Sequence, residues 1–305
     1  MAMLSYVGLV TSQEKRAFYM AIAEGVLLFG VLIGQTINGF IIDDLGLDTM
    51  AYITAAVSVL PVIVASVFVT DATSIRHRHT WRDVITLSHM FDAFKTIYRE
   101  REGHKRKLLS LCFVMYSLPF VSVCTYMAGS FLYFVKERGL TMSEYSIFNG
   151  YSSALKSFGG PLVVYLLKRF INPDQFHFAM GCAVSQIFGF TLMSIDIIPD
   201  SMWIGVTFIM TQTAYFALIR NLQTTICDKN EYGQLFAFDA ILQCVLQSVV
   251  GILAKEVYTA SLSFWPGLFL ALCAFFYLCG MMVTIAVAYY HDKDKAMNTD
   301  LHEDE

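Results

Sequence analysis

Apolar residues recur along this chain in runs of about 20, the length that crosses roughly 30 Å of hydrocarbon as a helix. The runs cover approximately 17–42, 50–70, 108–135, 144–167, 176–196, 201–220, 233–254 and 265–290. Two of them precede the long polar stretch Asp71 to Lys107, and six follow it. The pattern predicts an all-α polytopic membrane protein with about eight transmembrane helices. It divides the chain into a two-helix segment (1–70), a basic loop (71–107), a six-helix segment (108–290) and a polar tail (291–305).

Local breakers refine the runs. Gly30-x-x-x-Gly34 in the first is a pattern at which a second helix approaches closely. Asp43 to Asp48 reads as an acidic turn, and Pro61 as a kink in the second run. Pro119 and Gly159-Gly160-Pro161 interrupt the third and fourth runs, which lipid tolerates when neighbours satisfy the freed backbone groups.

Composition agrees with the pattern. The chain is 56% hydrophobic and 15% charged, with a mean hydropathy of +0.56, whereas soluble domains lie nearer 45–50% and about 25%. Its seven cysteines are scattered and form no metal-ligand pairing. No zinc-protease, nucleophile-elbow, phosphate-loop or dinucleotide signature is present, so no enzyme, cofactor or metal is expected. A net charge of −4 does not point to nucleic acid.

Charge sets the orientation. The loop holds Arg76, Arg78, Arg82, Lys95, Arg99, Arg101, Lys105, Arg106 and Lys107, nine of the 21 Lys and Arg residues. Lys and Arg collect in cytoplasmic loops, so both termini are expected in the cytoplasm. Lys136, Arg138 and Lys255 then fall outside. Within the loop, Trp81, Val84, Ile85, Phe91, Phe94 and Tyr98 share a helical face among basic residues. This predicts a helix on the inner membrane surface, or else a solvated linker. The loop histidines His77, His79, His89 and His104 lack metal spacing and read as solvated.

Three ionisable residues sit deep in apolar runs: Glu24, Lys156 and Asp239. An Asp or Lys at a helix centre costs about 2.5–3.5 kcal/mol to insert, so such residues line a bundle interior or a water-filled path. Glu24 shares a face with Gln35 and Asn38, a stripe suited to binding solute or taking up a proton. A purely structural, protonated Glu24 is the alternative. Asp239 heads a second stripe with Gln243 and Gln247, reading as pathway or as helix packing. Lys156, with Asn149, Ser152, Ser153 and Gly160, would meet an anionic substrate or a carboxylate such as Asp239. Arg220, beside Asn221, is either a substrate-path cation or an inner-edge anchor.

Short motifs carry a family resemblance over most of the chain. Two spans, a basic loop and six spans resemble helices five to twelve of a major facilitator superfamily transporter, with the first four absent. Ser5-Tyr6-Val7, then Val10-Thr11-Ser12-Gln13-Glu14-Lys15-Arg16, then Glu24 resemble the fourth-to-fifth helix region of the proton-coupled folate transporter family. That family includes the thymic stromal cotransporter. Arg220, Glu231-Tyr232-Gly233-Gln234-Leu235-Phe236 and Val257-Tyr258-Thr259 resemble its tenth-to-eleventh helix region. Leu9 stands where an acidic residue is usual and Tyr19 where a basic one is. The loop motif between helices eight and nine is reduced to Gly160-Pro161 and Lys168-Arg169.

The resemblance implies proton-driven transport of a small organic anion, folate-like or otherwise, by alternating access. Glu24 then matches an embedded acidic position and Arg220 a basic one near the substrate path. The expected partners are a small-molecule solute, protons and the lipid bilayer of the plasma membrane or lysosome. The alternative is a non-transporting relative that assembles with, or regulates, a membrane-embedded full-length transporter, using Gly30, Gly34 and Gly39 as its contact face.

Overall fold

The computed structural model describes residues 2–68, 94–95, 97, 99, 101, 104–171, 173–195 and 200–303, and the regular elements among them are helices. They are α1 (Ala2–Val10), α2 (Gln13–Phe68), α3 (Lys105–Leu132), α4 (Met142–Phe170), α5 (Gln175–Ile195), α6 (Ser201–Phe208), α7 (Gln212–Ile226), α8 (Tyr232–Ser261) and α9 (Leu268–Glu303). A π turn, Tyr133–Glu137, extends α3, and 3-10 turns Ile209–Thr211 and Lys229–Glu231 flank α7.

Six segments among the described residues are long and apolar enough to cross a membrane: Lys15–Ile37, Lys105–Glu137, Gln175–Ile195, Ser201–Ile226, Lys229–Ser261 and Leu268–Lys293. They coincide with six of the eight expected runs. The run at 144–167 is also a long helix, α4, but Asn149, Ser152, Ser153 and Lys156 make it less apolar, and it packs between α2 and α7. The run at 50–70 continues α2, where Ala51–Leu60 is apolar and exposed.

The breaks fall elsewhere than the prolines suggest. The acidic turn contracts to one residue, Gly46, whose φ of 80° is open to glycine at no steric cost. The backbone stays helical through Pro61, Pro119 and Pro161. An unforeseen break divides the 201–220 run at Ile209–Thr211. Its loosened groups find partners on α5. The Ser185 hydroxyl donates to the Phe208 carbonyl (2.6 Å), and the Gln186 amide to the Ile209 carbonyl and the Thr211 hydroxyl (both 3.0 Å). Gln186 is fully buried. Losing such a donor strands a buried acceptor, so Gln186→Leu should lower stability by about 1–3 kcal/mol. Thermal unfolding of purified protein tests this, and an unchanged midpoint would refute the assignment.

Helix α4 begins on a capping box. Thr141 Oγ1 accepts from the Glu144 amide (3.2 Å), while the Glu144 carboxylate accepts from the Thr141 amide (2.8 Å) and hydroxyl (2.9 Å). These bonds favour the ionised form and hold the Glu144 carboxyl below its ordinary value of 4.5. The box is therefore complete at neutral pH and fails as pH falls through that lowered value. Protection of the Met142–Tyr145 amides against exchange should fall on acidification, and Glu144→Gln, which removes the titrating group, should remove that pH dependence.

Helix α7 is the hub. It contacts α2, α3, α4 and α5, and every residue from Thr213 to Thr224 is buried. Helix α9 packs along α3 and α5, and α8 along α3. Small residues allow the closest approach. At Gly25 the α2 backbone meets α4, where the Ser157 hydroxyl donates to the Gly25 carbonyl (2.7 Å). Gly30 and Gly34 have open space around them, so Gly25 makes the contact expected of that pair.

The basic stretch is described only at its end; Trp81, Val84, Ile85, Phe91, Tyr98, His77, His79 and His89 lie outside the described residues. That end docks on protein. Ile97 is buried, the Phe94 ring meets Phe238 edge-on at 5.1 Å, and His104 stacks on Tyr290.

Candidate functional site

Four expected residues converge where α2, α3, α7 and α8 meet. Arg220 on α7 lies in the continuously buried stretch and is 3% exposed. Its Nη1 pairs with the Glu24 carboxylate of α2. Its Nε lies 4.0 Å from Oδ2 of Asp239 on α8, which is 0% exposed. Nη2 donates to the Tyr116 hydroxyl of α3 (3.0 Å), and the guanidinium sits 5.3 Å from that ring's centre. The Gln223 amide donates to Asp239 Oδ1 (3.4 Å), and the Gln243 amide to the Tyr116 hydroxyl.

One cation here faces two carboxylates. With both ionised the cluster carries a formal charge of −1, and one proton brings it to neutrality. Net charge is costly away from water, while a matched set of charges and hydrogen bonds is tolerated. The arrangement is suited to gaining and losing one proton, or to exchanging a carboxylate for an anionic group at Arg220.

Other candidates stand apart from the cluster. Gln35 accepts from the Ser153 hydroxyl (3.3 Å) and so joins α2 to α4. The side chain of Asn38 lies outside the described residues. Of the two partners open to Lys156, an anionic substrate or a carboxylate such as Asp239, the carboxylate stands beside Arg220 instead, and the Lys156 ammonium sits 5.3 Å from the centre of the Tyr126 ring. Lys156 stands on α4, which packs on α2 and α7, whereas Asp239 on α8 meets the cation of α7 first. Gln247 is exposed at a cleft between α3 and α8.

Two partners escaped sequence reasoning. Tyr116 is one aromatic among many in an apolar run, with nothing to single it out. Gln223 follows Arg220 by three residues on the same helical face, a spacing that was legible.

A second polar cluster joins the chain's beginning to the α7–α8 connection. Arg16 is 4% exposed and donates to the Thr224 and Tyr232 hydroxyls (both 3.2 Å), while the Tyr232 hydroxyl donates to the Thr224 carbonyl (2.7 Å). Next to it, Glu231 pairs with Arg101 (2.7 Å) and Arg99 (3.4 Å). The motif ending at Arg16 and the motif beginning at Glu231 are thus neighbours in space.

The chain is 22% identical, over 96% of its length, to the probable peptidoglycan muropeptide transporter SLC46 of Drosophila melanogaster, and spans 57% of that protein. The pattern of the Major Facilitator Superfamily matches residues 1–251. With its helices long and apolar enough to span a bilayer, the chain is an integral, multi-pass membrane protein that belongs to the Major Facilitator Superfamily.

Proposed function

We propose that this chain contributes to proton-coupled transport of a small organic anion by alternating access. The observation that carries the reading is the buried Arg220 between Glu24 and Asp239. A proton on either carboxylate frees part of the guanidinium's charge for a solute carboxylate, and loss of that proton restores the internal pair. Uptake of proton and anion are thereby linked at one side chain. Superfamily membership and the transporter name of the Drosophila relative support the transport part.

In this reading, residues 1–70 belong to one half of the transporter, 71–107 form its central cytoplasmic loop, and 108–290 form the six-helix half. Both termini face the cytoplasm, in the plasma or lysosomal membrane. Muropeptides and folate both carry carboxylates, and either suits a site organised around Arg220.

The test is uptake of labelled N-acetylmuramyl dipeptide and of folate, at acidic and neutral external pH, by cells displaying the chain at their surface. Acid-stimulated uptake by wild type that Glu24→Gln abolishes is the expected result. Uptake indifferent to pH would remove the proton from the mechanism. No uptake despite surface display would remove transport by this chain.

A further inference from the structure

The Arg220 cluster leaves Lys156 without an assigned part. Its ammonium lies over the Tyr126 ring, and among the described residues no carboxylate pairs with it. A cation inside a membrane span is costly, and such residues pair with one another or with carbonyl groups. An aromatic face attracts an ammonium without neutralising it.

The backbone sets Lys156 at the junction of the two helices that carry Glu24 and Arg220. Its own carbonyl accepts from the Thr213 hydroxyl of α7 (2.7 Å). The next residue, Ser157, donates to the Gly25 carbonyl of α2 (2.7 Å). Glu24 and Lys156 are therefore each one Cα step, about 3.8 Å, from a point where α2 and α4 touch. Arg220 lies farther on, beyond Thr213 by about 10 Å of helix rise along α7. Helices α2 and α4 run antiparallel, with Phe18 near Tyr165 and Thr36 near Gly150. Side chains lean toward the N-terminus of their own helix. Glu24 and Lys156 accordingly lean apart, one to Arg220 and the other to Tyr126.

We propose, building on the transport reading above, that Lys156 is the second counterion of Glu24. When an anion occupies Arg220, the Glu24 carboxylate turns to the Lys156 ammonium, which leaves the Tyr126 ring to meet it. The move changes rotamers on two flexible side chains and displaces no helix. It also removes a penalty, because a carboxylate displaced from Arg220 and left bare in the membrane interior would oppose anion binding. Lys156 is thus a positioning residue, acting on Arg220 through Glu24. The charged and titratable groups around Glu24 are Arg220 of α7, Asp239 of α8, Tyr116 of α3 and Lys156 of α4, and Lys156 itself faces Tyr126 of α3.

The first test needs no solute. Unfolding of the purified chain is followed for Glu24→Gln, Lys156→Gln and both together, in two backgrounds. With Arg220 present, Glu24 is already paired, and the two changes should act independently to within twofold in the unfolding equilibrium. With Arg220→Gln and Asp239→Asn, Glu24 and Lys156 remain as one matched pair, and their coupling should reach tenfold or more. No coupling in the second background would overturn the proposal. So would a second background that folds only once Glu24 is also neutralised.

The second test is uptake of labelled N-acetylmuramyl dipeptide, compared with wild type at the same external pH. In Lys156→Gln at neutral pH, Glu24 has no second cation, and uptake should fall at least tenfold. Acid supplies a proton in place of the ammonium, so the deficit should shrink below threefold at acidic pH. Lys156→Arg should stay within threefold of wild type at both. An equal loss at both pH values is what a purely structural lysine gives, and it would sink the proposal, as would no loss. The two tests separate this inference from the transport reading. Coupling as expected with no uptake by wild type removes transport and leaves the Glu24–Lys156 pair. Acid-stimulated uptake without coupling removes the pair and leaves transport standing.

Discussion

Arg220→Leu should abolish uptake and lower the stability of the purified protein by about 3–5 kcal/mol, the range for removing one partner of a buried ionic set. The substitution leaves Glu24 and Asp239 facing each other with no cation between them, and the Tyr116 hydroxyl loses its guanidinium donor. Two consequences separate this cause from simple loss of packing. Adding Glu24→Gln and Asp239→Asn to Arg220→Leu removes the orphaned charges, so the triple variant should recover much of the lost stability, since neutral replacements of buried ionic sets are often near neutral. It should not recover uptake, because neither the proton site nor the anion site remains. Unfolding midpoints and surface-normalised uptake, measured on all variants, decide the matter. A triple variant as unstable as Arg220→Leu would mean that the cluster's charges are not what holds it.

Gly25→Val should reduce uptake at least tenfold although Glu24 and Arg220 are both still present. A Cβ on residue 25 would lie 2.5 Å from the Ser157 carbonyl oxygen and 3.2 Å from Pro161. The first obstacle is backbone, which has no rotamer to escape into, so α2 must move away from α4. Overpacking of this kind costs about 1–3 kcal/mol, and the displacement breaks the Ser157–Gly25 hydrogen bond. Glu24, the preceding residue, moves with it. Because the site depends on positioning, a shift of about 1 Å is enough to cost a large factor in rate. Gly30→Ala and Gly34→Ala are the controls. Nothing lies near either position, and alanine in a helix interior is favoured over glycine by roughly 0.5–1 kcal/mol. Equal damage from all three substitutions would show that the Gly25 contact has no special role.

The two predictions also mark how far the site can be read before folding. Glu24, Arg220 and Asp239 stand out individually because an ionisable group in an apolar run demands a reason. Their pairing does not follow from that demand. Glu24 and Arg220 are separated by almost two hundred residues, and Lys156 was an equally plausible cation on charge alone. What selected Arg220 is the placement of α7 at the centre of the bundle, between α2 and α3, with α8 along α3. The same placement left Lys156 with an aromatic ring and Gln35 with Ser153.

Glycine illustrates the same division. The spacing Gly30-x-x-x-Gly34 matches a close-packing pattern, yet the helix presents that pair to open space and uses Gly25. A spacing motif records which residues share a face, not which face meets a neighbour. Proline misleads in the complementary way. Pro119 and Pro161 remain inside continuous helices, while the real break at Ile209–Thr211 has no proline and is held by Ser185 and Gln186 of another helix.

By itself, then, the sequence determined membrane residence, helical class and the identity of the charged residues that require partners. Those follow from hydrophobic length and from the cost of burying charge, which are properties of single segments. The tertiary structure alone decided which helices touch, which carboxylates share Arg220, where the helices break and where the α3–α8 cleft opens. Helix contacts in lipid are set by shape and by the satisfaction of scattered polar groups, and these are properties of pairs of segments that no single stretch encodes.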